Sequence, residues 1–143
     1  MANEFIGTWM ATKPASETDG FVKFSKAMNI KEEMLQQYGS VIFGVTYSNE
    51  GDKWTVESLV SGKSVKSTSF ESGKEFESKG LDQKAYKTTI TIDGCKITES
   101  TVPVDGSTKG TITTRLVKDG EMTATTVPNE HPDCSMTYIM KKQ

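Results

Sequence analysis

Two cysteines, one histidine, four prolines and a single arginine are spread over 143 residues. Cys95 and Cys134 are too few for a disulfide scaffold, and one histidine, His131, cannot anchor a metal cluster of sensible spacing. No histidine is placed to activate a serine or cysteine, and no glycine-rich phosphate loop occurs. Neither an enzyme nor a cofactor or metal site is therefore expected. The longest apolar run is about five residues, around Val41–Val45, against the ~20 that a membrane helix needs. Seventeen basic against nineteen acidic residues leave a net charge of −2, which lacks the basic excess of a nucleic-acid binder. The N-terminus shows no basic stretch followed by an apolar one, and no N-glycosylation sequon is found. A cytoplasmic protein with reduced thiols is the expectation, a processed secreted chain the alternative.

What is present is a soluble mixture of 34% hydrophobic and 25% charged residues. A chain of this length is sized for one domain, taken here as residues 1–143, and buries roughly 68–70% of its unfolded surface. The segment 5–11 alternates and reads as a strand. Ser16-x-x-Asp19 has the look of a capping box, and Phe21, Phe24 and Met28 recur at helical spacing. Asn29 reads as the cap of a second helix carrying Glu32 and Glu33 in its first turn, with Ile30, Met34, Leu35 and Tyr38 apolar and Gly39 as the stop. Two tandem helices over about 17–38 are predicted.

From residue 40 the period changes to two. Nine strand-like runs are predicted over 41–47, 53–60, 64–70, 75–78, 84–92, 95–102, 108–117, 121–127 and 134–141, rich in Thr, Val, Ile and aromatics. Turn signals separate them: Asn49-Glu50-Gly51-Asp52, Glu71-Ser72-Gly73, and Asp-Gly at 93–94, 105–106 and 119–120. Ten short strands in sequential hairpins leave two edges to protect, and closing the meander removes them. A barrel of this strand number is wider than its wall side chains fill, and two short helices suffice to cap one mouth. The fold class is mainly all-β, an antiparallel up-and-down barrel with a helical lid and a cavity.

This order of elements resembles the intracellular lipid-binding proteins, which include the fatty-acid-binding and cellular retinoid-binding proteins. Phe5-x-Gly7-x-Trp9 is similar to the family's opening signature, Phe21-x-x-Phe24-x-Lys26-x-Met28 to its first lid helix, and Phe70-Glu71-Ser72-Gly73-Lys74-Glu75-Phe76 with Asp82 to its F-x-x-G-x-E-F segment. Arg115-x-x-x-Asp119-Gly120 resembles the hairpin whose arginine points into the cavity, and Lys141-Lys142 after Tyr138 resembles its basic last strand. The resemblance implies a ten-stranded β-clam with a helix-turn-helix lid. It also implies a monomeric carrier that holds long-chain fatty acid non-covalently for transport and buffering. The chain departs from the pattern where Cys134-Ser135-Met136-Thr137-Tyr138 replaces Cys-x-Arg-x-Tyr, where Lys63 stands near the position at which many members have a portal aromatic, and in the longer loop Pro128–Asp133.

Arg115 is the only arginine, set in a strand in register with Thr113 and Val117. Facing inward it needs a partner, since an unpaired buried charge costs several kcal/mol; facing outward it pairs with a neighbouring strand. The resemblance favours the cavity and a ligand carboxylate. Tyr138, on one strand face with Cys134, Met136 and Met140, is the expected second head-group donor, its alternative being a wall tyrosine with a wet hydroxyl. Met136 adds adaptable apolar surface where the family has arginine. Phe21, Phe24 and Met28 are expected to line the ligand's way in as well as to pack the lid. Burying about fourteen methylenes gives up to roughly 11 kcal/mol, against about 1.5–3 for a charge-assisted head-group bond, so the tail dominates affinity. A neutral lipid or retinoid is the alternative ligand, and a membrane-associating structural member of the same fold the alternative role. Lys23, Lys26 and Lys31 read either as a solvated face or as a transient contact with anionic membranes.

Overall fold

The computed structural model describes residues 2–28, 30–79, 84–105 and 110–143. Ten strands and two helices follow in the expected order. They are β1 (Gly7–Ala11), α1 (Phe21–Ala27), α2 (Glu32–Tyr38), β2 (Phe43–Glu50), β3 (Lys53–Val60), β4 (Lys63–Glu71) and β5 (Glu75–Lys79). Then come β6 (Ala85–Asp93), β7 (Lys96–Pro103), β8 (Thr111–Lys118), β9 (Glu121–Pro128) and β10 (Met136–Lys142). Short 3₁₀ turns at Ala2–Phe5 and Ala15–Glu17 flank β1.

All ten strands form one antiparallel sheet ordered β4-β3-β2-β1-β10-β9-β8-β7-β6-β5. The sheet curls until its edge strands β4 and β5 face each other without a ladder between them. Side chains close that gap. Lys66 of β4 donates to the carbonyl of Lys79 in β5, and the rings of Phe70 and Phe76 stack with centroids 6.1 Å apart. The result is a nearly closed barrel, as the strand count requires.

Tight turns set the register. Ser61-Gly62 and Asp119-Gly120 each have two successive positive φ angles, 50° and 86°, then 53° and 79°, the combination that matches the twist of a two-residue hairpin. Of the expected turn at 105–106, Gly106 lies outside the described residues, as do Asp82, Thr108 and Asn29.

Element ends differ from the expectation for identifiable reasons. Phe5 closes a 3₁₀ turn instead of starting β1, and its carbonyl accepts the Trp9 indole N–H at 2.9 Å. Val41 precedes β2 because its carbonyl accepts the N–H of Ala15, while Asn49 and Glu50 extend the ladder opposite Trp54 and Lys53. Cys134 is held in the loop before β10 by its N–H to the His131 carbonyl, 2.9 Å.

The lid starts differently too. Ser16 and Asp19 form no capping box. Residues 15–17 are the 3₁₀ turn, and the N-cap of α1 is Gly20, at φ 84° with no side-chain cap bond. Asp19 spends its backbone on β10 instead, its carbonyl accepting the Thr137 N–H at 2.9 Å. The N-cap of α2 is Lys31, which likewise makes no side-chain cap bond.

Strand alternation puts one face of every strand inside. Phe5, Trp9, Tyr47, Trp54, Phe70, Ile97, Met122 and Met140 form a packed cluster. Much of it lies towards the end of the barrel opposite the lid, where the β2–β3, β4–β5, β6–β7 and β8–β9 turns gather. Lys142 caps that end, its ammonium 5.6 Å from the Trp9 ring centroid.

Candidate functional site

Between this cluster and the lid lies a cavity of about 790 Å³, inside the ~300–1,000 Å³ range of ligand pockets. Phe24 of α1, Met28 at its C-cap and Ile30 of the helix connection line its upper part; Val45, Val56, Phe76 and Ile90 line the barrel wall. Its polar lining includes Lys66, Lys84, Glu99, Arg115 and several hydroxyls in the barrel, with Lys31, Glu33 and Gln37 at the lid.

The inner face of β7–β10 is built in rows. Ile97, Arg115, Ala124 and Tyr138 are successive cross-strand partners, and Glu99, Thr113, Thr126 and Met136 form the adjacent row. Glu99 is thus opposite Thr113 and diagonal to Arg115, within reach of long side chains. Arg115 is only 7% exposed. Its Nε donates to Glu99 Oε1 at 3.0 Å, and the Tyr47 hydroxyl donates to the same oxygen at 3.2 Å. One guanidinium nitrogen points at the thioethers of Met140 and Met122, 3.6 and 3.8 Å away, which are weak acceptors.

The electrostatics follow from this packing. Burial works against the Arg115 charge, but Tyr47, Tyr138 and Glu99 outweigh it and hold the guanidinium well above its ordinary pKa. Burial drives the Tyr47 hydroxyl far above the usual tyrosine range, against the pull of Arg115, so it stays a neutral donor. The Lys66 ammonium is pushed down by burial, with Glu99 acting in the opposite sense.

Of the six residues singled out from the sequence, the cavity lining joins Arg115, Phe24 and Met28. Phe21, Met136 and Tyr138 are half-buried and are not among the lining residues. Tyr138 packs against the core cluster two strands from Arg115, with the fully buried Ala124 between them. The Met34 and Tyr38 side chains lie outside the described residues. Arg115 faces inward, yet its partner is a glutamate of the neighbouring strand, so it combines half of each orientation considered above. Glu99, Tyr47 and Lys66 were not anticipated. The two-residue period from Ile97 puts Glu99 on the inner face, a signal available in the sequence; its meeting with Arg115 needs the β7–β8 register.

No family model matches the chain. Fatty acid-binding protein 1 of Manduca sexta is 30% identical over 115 residues, covering 80% of this chain and 83% of that protein. The chain belongs to the fatty acid-binding protein family. The adipocyte fatty acid-binding protein of Pygoscelis papua is 26% identical over 143 residues, covering all of this chain and 96% of its own. Among solved structures, the Schistosoma mansoni fatty acid-binding protein in complex with arachidonic acid superposes with a TM-score of 0.83 at 22% identity, over 99% of this chain and 98% of its own. That likeness establishes the barrel of a fatty acid-binding protein. Cys95 and Cys134 are free thiols in it, and His131 is exposed.

Proposed function

We propose that this protein is a non-covalent carrier of long-chain fatty acids, one lipid-binding domain acting as a monomer in the cytoplasm. The observation that carries the reading is the cavity of about 790 Å³, apolar over most of its wall with one buried arginine, in a chain whose relatives are fatty acid-binding proteins. The tail partitions into the space between Phe24, Met28, Val56 and Ile90 and supplies most of the affinity. The head lies toward Arg115, with Tyr138 as the reserve donor on the adjoining wall and Met136 beside it. The reaction is binding and release; no bond is made or broken.

Loading proceeds past α1 and α2, with Phe21 at the start of the lid. Val22 of α1 is 61% exposed and is followed by the exposed Lys23 and Lys26, which supports a passing contact with anionic membranes, apolar residue inward and ammonium groups at the head groups.

Native mass spectrometry of the purified protein, followed by extraction and identification of the co-purifying lipid, tests the reading. Fatty acid at one or two per chain is expected. A protein that carries none and takes up no fluorescent fatty acid overturns it.

A further inference from the structure

We propose that Glu99 is the head-group specificity residue of the cavity: it neutralises Arg115 in advance, so that the site accepts a lipid with an uncharged, hydroxyl-bearing head about as well as a fatty acid. This rests on the carrier reading and concerns which head the carrier prefers.

A cation kept in a lipid cavity to grip a carboxylate is expected to await it with neutral donors or water around it. Arg115 does not. Its Nε is taken by Glu99 Oε1 at 3.0 Å, and Tyr47, itself 1% exposed, donates to that oxygen at 3.2 Å. The carboxylate is therefore held from two strands, β2 and β8, while its own strand is β7. Nothing about it is incidental to a surface: its side chain is 21% exposed, and the residue lines the cavity.

A fatty-acid carboxylate arriving at Arg115 meets this resident anion. It must displace Glu99, leaving that charge buried and stripped of its best partner, or share one guanidinium with it at close range. Both are unfavourable. A primary hydroxyl meets no such conflict, because it donates to the carboxylate and accepts from a threonine lining the cavity, such as Thr101 or Thr111. Glu99 thus levels a preference that Arg115 alone would impose.

The test is competition of oleic acid and oleyl alcohol for delipidated protein, read by displacement of the neutral dye Nile red at near-neutral pH, in the wild type and in Glu99→Gln. The glutamine amide oxygen still accepts from Arg115 and Tyr47, so the shape is kept and only the charge is lost. Wild type is expected to bind the two lipids within about tenfold of each other. E99Q is expected to shift the ratio toward the acid by at least about tenfold, the acid meeting a cation no longer neutralised and the alcohol losing its carboxylate acceptor. An unchanged ratio in E99Q, or a wild type that already prefers the acid a hundredfold, overturns the proposal. The double variant Glu99→Gln with Arg115→Met, which holds neither charge, provides a second check if E99Q folds poorly. Because the Lys66 ammonium stays in the cavity in both proteins, the double variant should keep the wild-type acid-to-alcohol ratio within about tenfold, and a larger shift toward the acid counts against the proposal. A wild type that binds neither lipid defeats the carrier reading itself.

Discussion

Arg115 and Glu99 hold each other across β7 and β8, guanidinium Nε to carboxylate Oε1 at 3.0 Å, inside the barrel. The pair explains how a hydrophobic cavity tolerates a charge: each ion satisfies the other, and Tyr47 adds a hydrogen bond to the anion. Removing one member leaves the other exposed to the full cost of burial. Arg115→Met should lower stability by about 3 kcal/mol, and adding Glu99→Gln should recover at least half of that loss. A double-mutant cycle by urea denaturation measures it; independent, additive losses would show that the two side chains do not support each other. Arg115→Met should also weaken fatty-acid binding at least about tenfold, or ~1.4 kcal/mol, because Glu99 is left as an unopposed negative charge.

Lys66 offers a pH-dependent signature. Burial depresses its pKa below the ordinary 10.5, Glu99 only partly opposing. Between the depressed value and 10.5 the unfolded chain binds more protons than the folded one, so this group makes stability rise with pH in that window and contributes nothing further above it. Tyr47 acts oppositely, since its raised pKa favours the unfolded state once free tyrosine ionises near pH ~10. Comparing wild type with Lys66→Met isolates the lysine. The variant should gain stability relative to wild type at neutral pH, and the gain should shrink as pH climbs toward 10.5. A difference that does not vary with pH would mean that Lys66 is fully solvated.

The strands were legible because each carries its own evidence. Two-residue alternation and a glycine at most hairpins survive as local signals, and Lys53–Val60 matches the expected bounds residue for residue. The lid helices were legible from Phe21, Phe24 and Met28, but their caps were not. Ser16 and Asp19 look like a cap only if the chain has no better use for them, and tertiary pairing with Thr137 supplies one. The site divides the same way. An arginine alone among lysines stands out in a sequence, whereas Glu99 is one of nineteen acidic residues. Only the register that sets it diagonal to Arg115, with β2 bringing Tyr47 across the barrel, distinguishes it from the rest.

Gly20 is where the lid is pinned. Its φ of 84° lies in the left-handed region, and a Cβ there would collide with the backbone carbonyl of Ser135. Gly20→Ala should therefore cost about 2 kcal/mol or more and loosen the hook formed by Asp19 and Thr137. Hydrogen exchange at the Thr137 amide, bonded to the Asp19 carbonyl at 2.9 Å, should accelerate while the β3–β4 hairpin stays protected. Bound fatty acid should also leave faster. Wild-type protection at Thr137 in the variant would refute the pinning role.

Ser25 gives the opposite sign. It lies in α1 only 3% exposed, and its Oγ is the one buried side-chain polar atom without a partner among the described residues. An unsatisfied buried hydroxyl costs about 1–3 kcal/mol, and alanine is the better helix former by about 0.5. Ser25→Ala leaves a small void where the oxygen was, which takes back part of the gain. The net expectation is stabilisation of about 1 kcal/mol, a Tm higher by roughly 3 °C for a chain of this size. Scanning calorimetry of the delipidated protein decides it. A Tm at or below that of wild type would show that the hydroxyl is satisfied by a buried water, and that α1 is held to the barrel by a polar contact as well as by Phe24 and Met28.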